Sequence, residues 1–403
     1  MSTLRLSTAG ESHGLAEVCI LEGIPAGLTV TPADIDVDLA RRQQGYGRGG
    51  RMAIEADHCR FLAGVRLGRT LGAPICIIVE NKDHDNWVAV MSAERPAGEP
   101  AGMSGRVTIP RPGHADLAGL AKYGYEDIRD VLERASARET VGRVAGGAVC
   151  KRLLSEMGVK VRGRVVSIGT ARTDAVADLT HPNDIDWAAV DASPVGCDDP
   201  IAAAAMCEQI DRAREAGESL GGVFEIWCWG LCPGLGGYGC PQDRLDGRLL
   251  GALGSIPAIK GVEIGEGFAN AGRIGSLVHD AITVREDDRG AWITRETNHA
   301  AGIEGGMTNG MPVVIHAAMK PIPTLTAPLQ SVDVSTLRPI AAHVERSDVA
   351  AVPAARVVGE AMAAVTLAEA YLCKFGGDSL EQLRASVLAY EGALEDRRLW
   401  RRS

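Results

Sequence analysis

Seven arginines, Arg41, Arg42, Arg48, Arg51, Arg60, Arg66 and Arg69, face only two carboxylates, Glu55 and Asp57, within one short window of a chain whose formal net charge is -10. Such a contrast calls for an anion. Planar guanidinium groups pair bidentately with carboxylate and phosphate, and the run Gly45-Tyr46-Gly47-Arg48-Gly49-Gly50-Arg51 would let backbone approach a ligand closely. A plainer role for Arg41 and Arg42 is to complement a helix C-terminus, with the rest solvated.

Two tight turns carry histidine: Gly10-Glu11-Ser12-His13-Gly14 and Arg111-Pro112-Gly113-His114-Ala115-Asp116. Imidazole is the side chain best suited to gain and lose a proton near neutrality, so the pair suggests a proton-handling site. The first turn also satisfies the G-x-S-x-G pattern of a hydrolase nucleophile elbow, but a strand-like run follows it where an elbow needs a helix. A third segment, Gly234-Leu235-Gly236-Gly237-Tyr238-Gly239, spells G-x-G-x-x-G. Cys240-Pro241 follows it, so the last glycine opens no helix on which pyrophosphate would rest. An NAD(P)-dependent oxidoreductase using the Gly234–Gly239 loop is therefore the alternative reading.

The composition narrows the partners. The chain has 403 residues, 46% hydrophobic and 23% charged, which is typical of a soluble globular protein with one or two buried cores. Aromatics are 4% against 49 glycines, so stacking platforms for single-stranded nucleic acid are not expected. The acidic balance disfavours nucleic acid and anionic membranes, and the N-terminus has no basic and apolar leader. A cytoplasmic protein acting on a small molecule is expected. The ten cysteines are scattered in apolar runs, and Cys228, Cys232 and Cys240 lack zinc-type spacing, so no metal site is expected.

Several elements would have to position these residues. Thr31-Pro32-Ala33-Asp34 predicts a helix start, and the helix should stop near Gly45 with Arg41 and Arg42 in its last turn. The apolar period from Asp127 to Met157 predicts one long helix ended by Gly158, and another runs from about Ala354 to Phe375. Strand-like runs are Ala16 to Leu21, Ala73 to Glu80, Val161 to Ile168, Val223 to Trp229 and Met311 to Ala317. Strands and helices do not alternate regularly, which indicates α+β rather than a doubly wound sheet. No linker divides the chain, so a single domain over residues 1–403 is expected, with a core at about 4–378 and a C-terminal tail at about 379–403.

Six segments occur in an order and spacing that resemble the chorismate synthase family. They are Gly10 to Gly14, Arg41 to Met52, Arg111 to Asp116, Arg134-Ala135-Ser136-Ala137-Arg138-Glu139-Thr140, Lys260-Gly261-Val262-Glu263-Ile264-Gly265, and Arg346-Ser347-Asp348. The resemblance implies a β-α-β sandwich in which antiparallel sheets flank central helices, and a homotetramer. It implies a carbon-oxygen lyase of the shikimate pathway, its seventh step, which converts 5-enolpyruvylshikimate 3-phosphate into chorismate and phosphate for aromatic amino acid biosynthesis. That anti-1,4-elimination needs reduced FMN without net redox change; NADPH enters only indirectly, for flavin reduction, and an external flavin reductase would supply it.

Residue by residue, the resemblance implies His13, His114 and Asp348 as catalytic: an acid at the leaving phosphate, a group near the flavin, and an aid to proton removal. Arg42 and Arg48 match positions assigned to NADP in the family and suited to substrate phosphate, with Ser12, Arg51 and Arg111 beside them. Flavin contacts would come from Arg134, Ala135, Ser136, Pro257, Ala258, Gly305, Lys320, Pro321, Ile322, Pro323, Thr324 and Arg346. Pro257 stands where the family commonly has an amide side chain, Pro323 where it has a hydroxyl, and Ser347 and Val349 where His and Pro are frequent.

Overall fold

The computed structural model describes residues 4–49, 56–94, 106–173, 179–344 and 347–402. Two antiparallel sheets enclose a layer of helices. The first sheet pairs Arg5–Ala9, Ala16–Glu22, Ile75–Glu80 and Cys59–Ala63 in that order. The second runs Ile259–Ile264, Val313–Met319, Gly222–Trp229, Lys160–Ile168 and Ala171–Arg172. The helices Thr140–Glu156, Val352–Phe375 and Pro32–Gln43 pack on one another between them, the first against the first sheet and the second against the second. Each of the five strand-like runs became a strand, and the α+β architecture is as expected. Ser379 caps a further helix, Leu380–Asp396, whose Leu383 and Val387 join the same core.

The central layer packs closely because its facing residues are small. A Cβ at Gly147 would lie 2.3 Å from that of Ala361 on the neighbouring helix, and one at Gly146 would meet Leu6 and Cys19 of the first sheet. Leu, Ile and Val from both sheets then close around the pair. An ionic knot ties the layer together. The fully buried Glu360 accepts two bonds from Arg41 at 2.7 Å, one from Lys151 at 2.8 Å and one from the backbone of Gly163 at 2.8 Å. Arg41 is therefore a strut between helices, not part of an anion site.

The long helix expected from Asp127 to Met157 is interrupted. A short turn, Arg129–Leu132, is followed by extended backbone at Ser136 (φ -68, ψ 147), a 3-10 turn at Ala137–Glu139 and then the helix Thr140–Glu156. Ser136 causes the break locally: its hydroxyl accepts the N–H of Arg138 at 3.2 Å, which competes with helical hydrogen bonding. The apolar period continues through the interruption because both halves face the same core. Around the break, Arg134 and Ser136 meet the N-terminal histidine turn and Arg138 meets Asp57.

Candidate active site

The Pro32–Gln43 helix starts as its sequence predicts, with Asp34 accepting both the N–H and the hydroxyl of Thr31 at 2.7 Å. Its last turn delivers Arg42 into the protein, where the side chain is nearly inaccessible. Asp57, also buried, receives Arg42 at 2.9 Å on one oxygen and Arg138 at 2.8 Å on the other. Two guanidiniums thus share one carboxylate. Burial pushes the Arg42 guanidinium down to about 10; Asp57 opposes this, while Arg48 and Arg138 push the same way. Arg48 lies beyond Gly45 and Gly47, both in the left-handed region, and pairs with Asp348 at 3.0 Å; the other oxygen of Asp348 takes the N–H of Gly49 at 2.7 Å. The buried Nε atoms of Arg42 and Arg48 have no hydrogen-bond partner among the described residues.

The first histidine turn adjoins this cluster through Ser12, whose hydroxyl lies 3.1 Å from that of Ser136. Gly10 (φ 129) bends the chain, and the strand Ala16–Glu22 follows directly, so no hydrolase elbow forms. His13 is fixed by two residues to which the sequence reading assigned no role. Glu133 accepts its Nδ1 at 3.0 Å and its backbone N–H at 2.9 Å, and the Trp87 ring stacks on the imidazole at 3.8 Å. Arg134 reaches back to the carbonyls of Thr8 and Gly10 at 2.9 and 3.0 Å.

The second histidine turn forms a separate group. Gly113 (φ 80) turns the chain so that Asp116 faces both His114 and Arg111; Arg111 Nε donates to Asp116 at 2.9 Å, and His114 Nδ1 lies against the same carboxylate. Burial opposes ionisation of Asp116, yet the His114 ring and the Arg111 guanidinium and N–H hold it well below the usual carboxylate range. Lys320 donates to the carbonyl of Gly113 at 2.8 Å, its N–H bonds Ala258 (φ 68) at 3.0 Å, and Arg111 reaches Thr324 at 3.5 Å. The carbonyl of Ile322 accepts Ser219, and the two prolines at 321 and 323 hold the turn. Burial, and then the nearby Lys260, lower the Lys320 ammonium from its ordinary value.

Backbone links join the two groups. Val349 donates to Gly47 at 2.7 Å, Leu220 donates to Val349 at 2.8 Å, and Gly221 packs against Lys320 and Pro321. On the other side Arg143, one turn into the helix that follows Arg138, bonds Ser255 beside Pro257. Gly305 (φ 58) lies in the turn between Ile303–Glu304 and Met307–Thr308. Arg51 and Arg346 lie outside the described residues. Arg60 pairs with Glu80 at the surface. Cavities of about 490 and 450 Å³ elsewhere are lined by none of these site residues.

The Gly234–Gly239 loop lacks the geometry of a dinucleotide fingerprint. Its N–H groups at Gly234 and Leu235 bond Thr308, Gly236 bridges to Met307, and Pro241–Asp243 is a 3-10 turn ahead of the helix Leu245–Gly254. Its first two donors are spent on the neighbouring hairpin.

One carboxyl beneath the site carries an energetic cost. Glu17 is 2% exposed, neither oxygen has a hydrogen-bond partner among the described residues, and Arg134 stands 3.8 Å away. Burial pushes its pKa from 4.5 up to about 7, against Arg134 and Arg138 and with Glu139 and Glu11. A proton is thus held more tightly in the folded state, so stability falls as pH rises from 4.5 to about 7 and then levels off. Glu17→Gln is expected to gain little near pH 5 and up to ~3 kcal/mol near pH 8. Denaturant titrations at the two pH values check this, and equal gains at both would contradict it.

Known proteins resemble the chain over nearly its whole length. A family model described as chorismate synthase matches residues 4–372. The chorismate synthase of Desulforudis audaxviator is 55% identical over 381 residues, 94% of this chain and 95% of its own length. That of Trichlorobacter lovleyi is 51% identical over 398 residues, 98% of this chain and 100% of the relative. A crystal structure of chorismate synthase matches with a TM-score of 0.79 at 40% identity, covering 98% of this chain and 99% of that one.

Proposed function

This chain belongs to the chorismate synthase family, and from that premise we propose how its residues carry out the reaction. The protein is a carbon-oxygen lyase that eliminates phosphate from 5-enolpyruvylshikimate 3-phosphate to form chorismate. Family membership implies a reduced flavin, and we take it to be FMN. The observation that carries the reading is the sharing of one buried carboxylate by Arg42 and Arg138 beside Arg48, which leaves positive charge and two buried Nε donors for anions.

The residues present fit such a cofactor. Lys320, Arg111 and His114 surround Gly113, where a Cβ would stand 3.4 Å from Lys320 Nζ, so a glycine keeps the cradle open beside the cations. Ala258, Lys320 to Thr324, Arg134, Ala135, Ser136 and Gly305 would hold the flavin, with Arg346 and the family position now occupied by Pro257. When bound, the reduced flavin supplies electron density as phosphate departs, with no net oxidation. Arg42 and Arg48 bind substrate phosphate and carboxylate, Ser12 and Arg111 flank them, and His13 gives a proton to the leaving phosphate. His114, held by Asp116, sets the charge at its end of the site. Asp348, held by Arg48 and Gly49, assists removal of the substrate proton.

An anaerobic assay tests the whole. With substrate and pre-reduced FMN, phosphate is expected to be released without stoichiometric loss of reductant; one NAD(P)H consumed per phosphate would overturn the reading. We further place the protein in the cytoplasm as a homotetramer served by a separate flavin reductase. Exposed Phe268, Ile274, Leu277, Ile282 and Val284, on and near the outlying hairpin Ile282–Asp287/Gly290–Arg295, support an oligomer. Among the described residues no helix is long and apolar enough to cross a membrane.

A further inference from the structure

We infer that Glu133 is the positioning residue of His13: it fixes which ring nitrogen carries the transferable proton and where that nitrogen points. The inference rests on the assignment of His13 as the acid for the leaving phosphate.

Glu133 is 4% exposed and brings both carboxylate oxygens to this turn. Both oxygens lie 3.0 Å from His13 Nδ1, and one also takes the His13 N–H at 2.9 Å. Arg129 donates to it at 3.2 Å, while the guanidinium of Arg129 lies 5.2 Å over Trp87, the ring that stacks on His13. The main chain is pinned as well: Ser12 N–H bonds the Glu133 carbonyl at 2.9 Å, Asn81 bonds the carbonyls of Ser12 and Gly14, and His84 bonds that of His13. Burial opposes ionisation of Glu133, but bonding and charge from His13 and then Arg129 keep it below the ordinary carboxylate range.

An ionised carboxylate only accepts, so Nδ1 must carry hydrogen in both charge states of the ring. The proton that comes and goes is then on Nε2. One ring face is covered by indole and the Nδ1 edge by Glu133. In the reaction the Nε2–H bond breaks and an O–H bond forms on phosphate as the C–O bond breaks and its electron pair leaves with oxygen. The neutral ring keeps its Nδ1–H, and solvent restores the proton on Nε2.

Nitrogen-15 NMR of histidine-labelled protein, at a pH where imidazoles are neutral and with His13→Asn to assign the signal, reads this directly. Wild type is expected to show the Nδ1–H tautomer at His13. Glu133→Leu should lose it and lower kcat ~10- to 100-fold, with KM and reduced-FMN affinity within about twofold. Glu133→Gln, whose amide oxygen still accepts from Nδ1–H but bears no charge, should keep the tautomer and lose part of kcat. A wild-type Nε2–H tautomer overturns the inference, as does an unchanged tautomer and kcat in Glu133→Leu. If Glu133→Leu does not fold, the wild-type and Glu133→Gln spectra decide. Full turnover in His13→Ala would instead remove the acid assignment while leaving the tautomer result intact.

Discussion

Replacing His13 with alanine is expected to slow phosphate release ~100-fold or more, the usual yield of a positioned general acid. The elimination must expel phosphate while an unactivated C–H bond opens, so a proton delivered to the leaving oxygen lowers the barrier directly. His13 is built for delivery, with Nδ1 held by Glu133 and one face on Trp87. The fold should survive: the side chain is partly exposed, and the turn is pinned by main-chain bonds to Glu133, Asn81 and His84. Anaerobic phosphate release at saturating substrate, beside an unchanged circular dichroism spectrum, checks both halves. A wild-type rate would remove His13 from the chemistry.

The second large effect is expected on affinity. Arg48→Gln should raise the substrate KM ~10- to 100-fold, the worth of one or two charge-assisted hydrogen bonds to an anion. Arg48 is poised for that exchange. It pairs with Asp348 at 3.0 Å, yet Asp348 keeps its bond to Gly49 at 2.7 Å when the guanidinium turns to a ligand. Its Nε has no partner among the described residues. The effect should diminish as salt rises, because screening weakens the wild-type contact it removes. A KM unchanged at low ionic strength would mean that the anion lies elsewhere.

Much of the local structure was legible. The cap at Thr31, the helix ending at Phe375 and five strands follow from signals that act within a few residues. The uninterrupted helix from Asp127 was wrong because hydrophobic period reports which face is buried, not whether the backbone stays helical. The Ser136 hydroxyl, bonding the chain two residues ahead, decided that. The arginine-rich window likewise held cations of different uses: Arg41 braces Glu360, Arg60 meets Glu80 on the surface, and Arg42 and Arg48 turn to the site. Charge contrast counts guanidiniums but does not say which carboxylates reach them.

Residue types and their order were enough to determine the family and the chemistry, since the histidine turns and arginines are contiguous motifs whose spacing survives in the chain itself. Tertiary structure alone decided how they are held. Glu133 lies 120 residues from His13, and Asp348 299 from Gly49. Neither pairing has a local signature, although Asp348 itself stands in a recognisable motif, because a buried carboxylate is partnered by whatever cation or imidazole the packed sheets and helices bring within about 3 Å, and burial without a partner is too costly to persist widely.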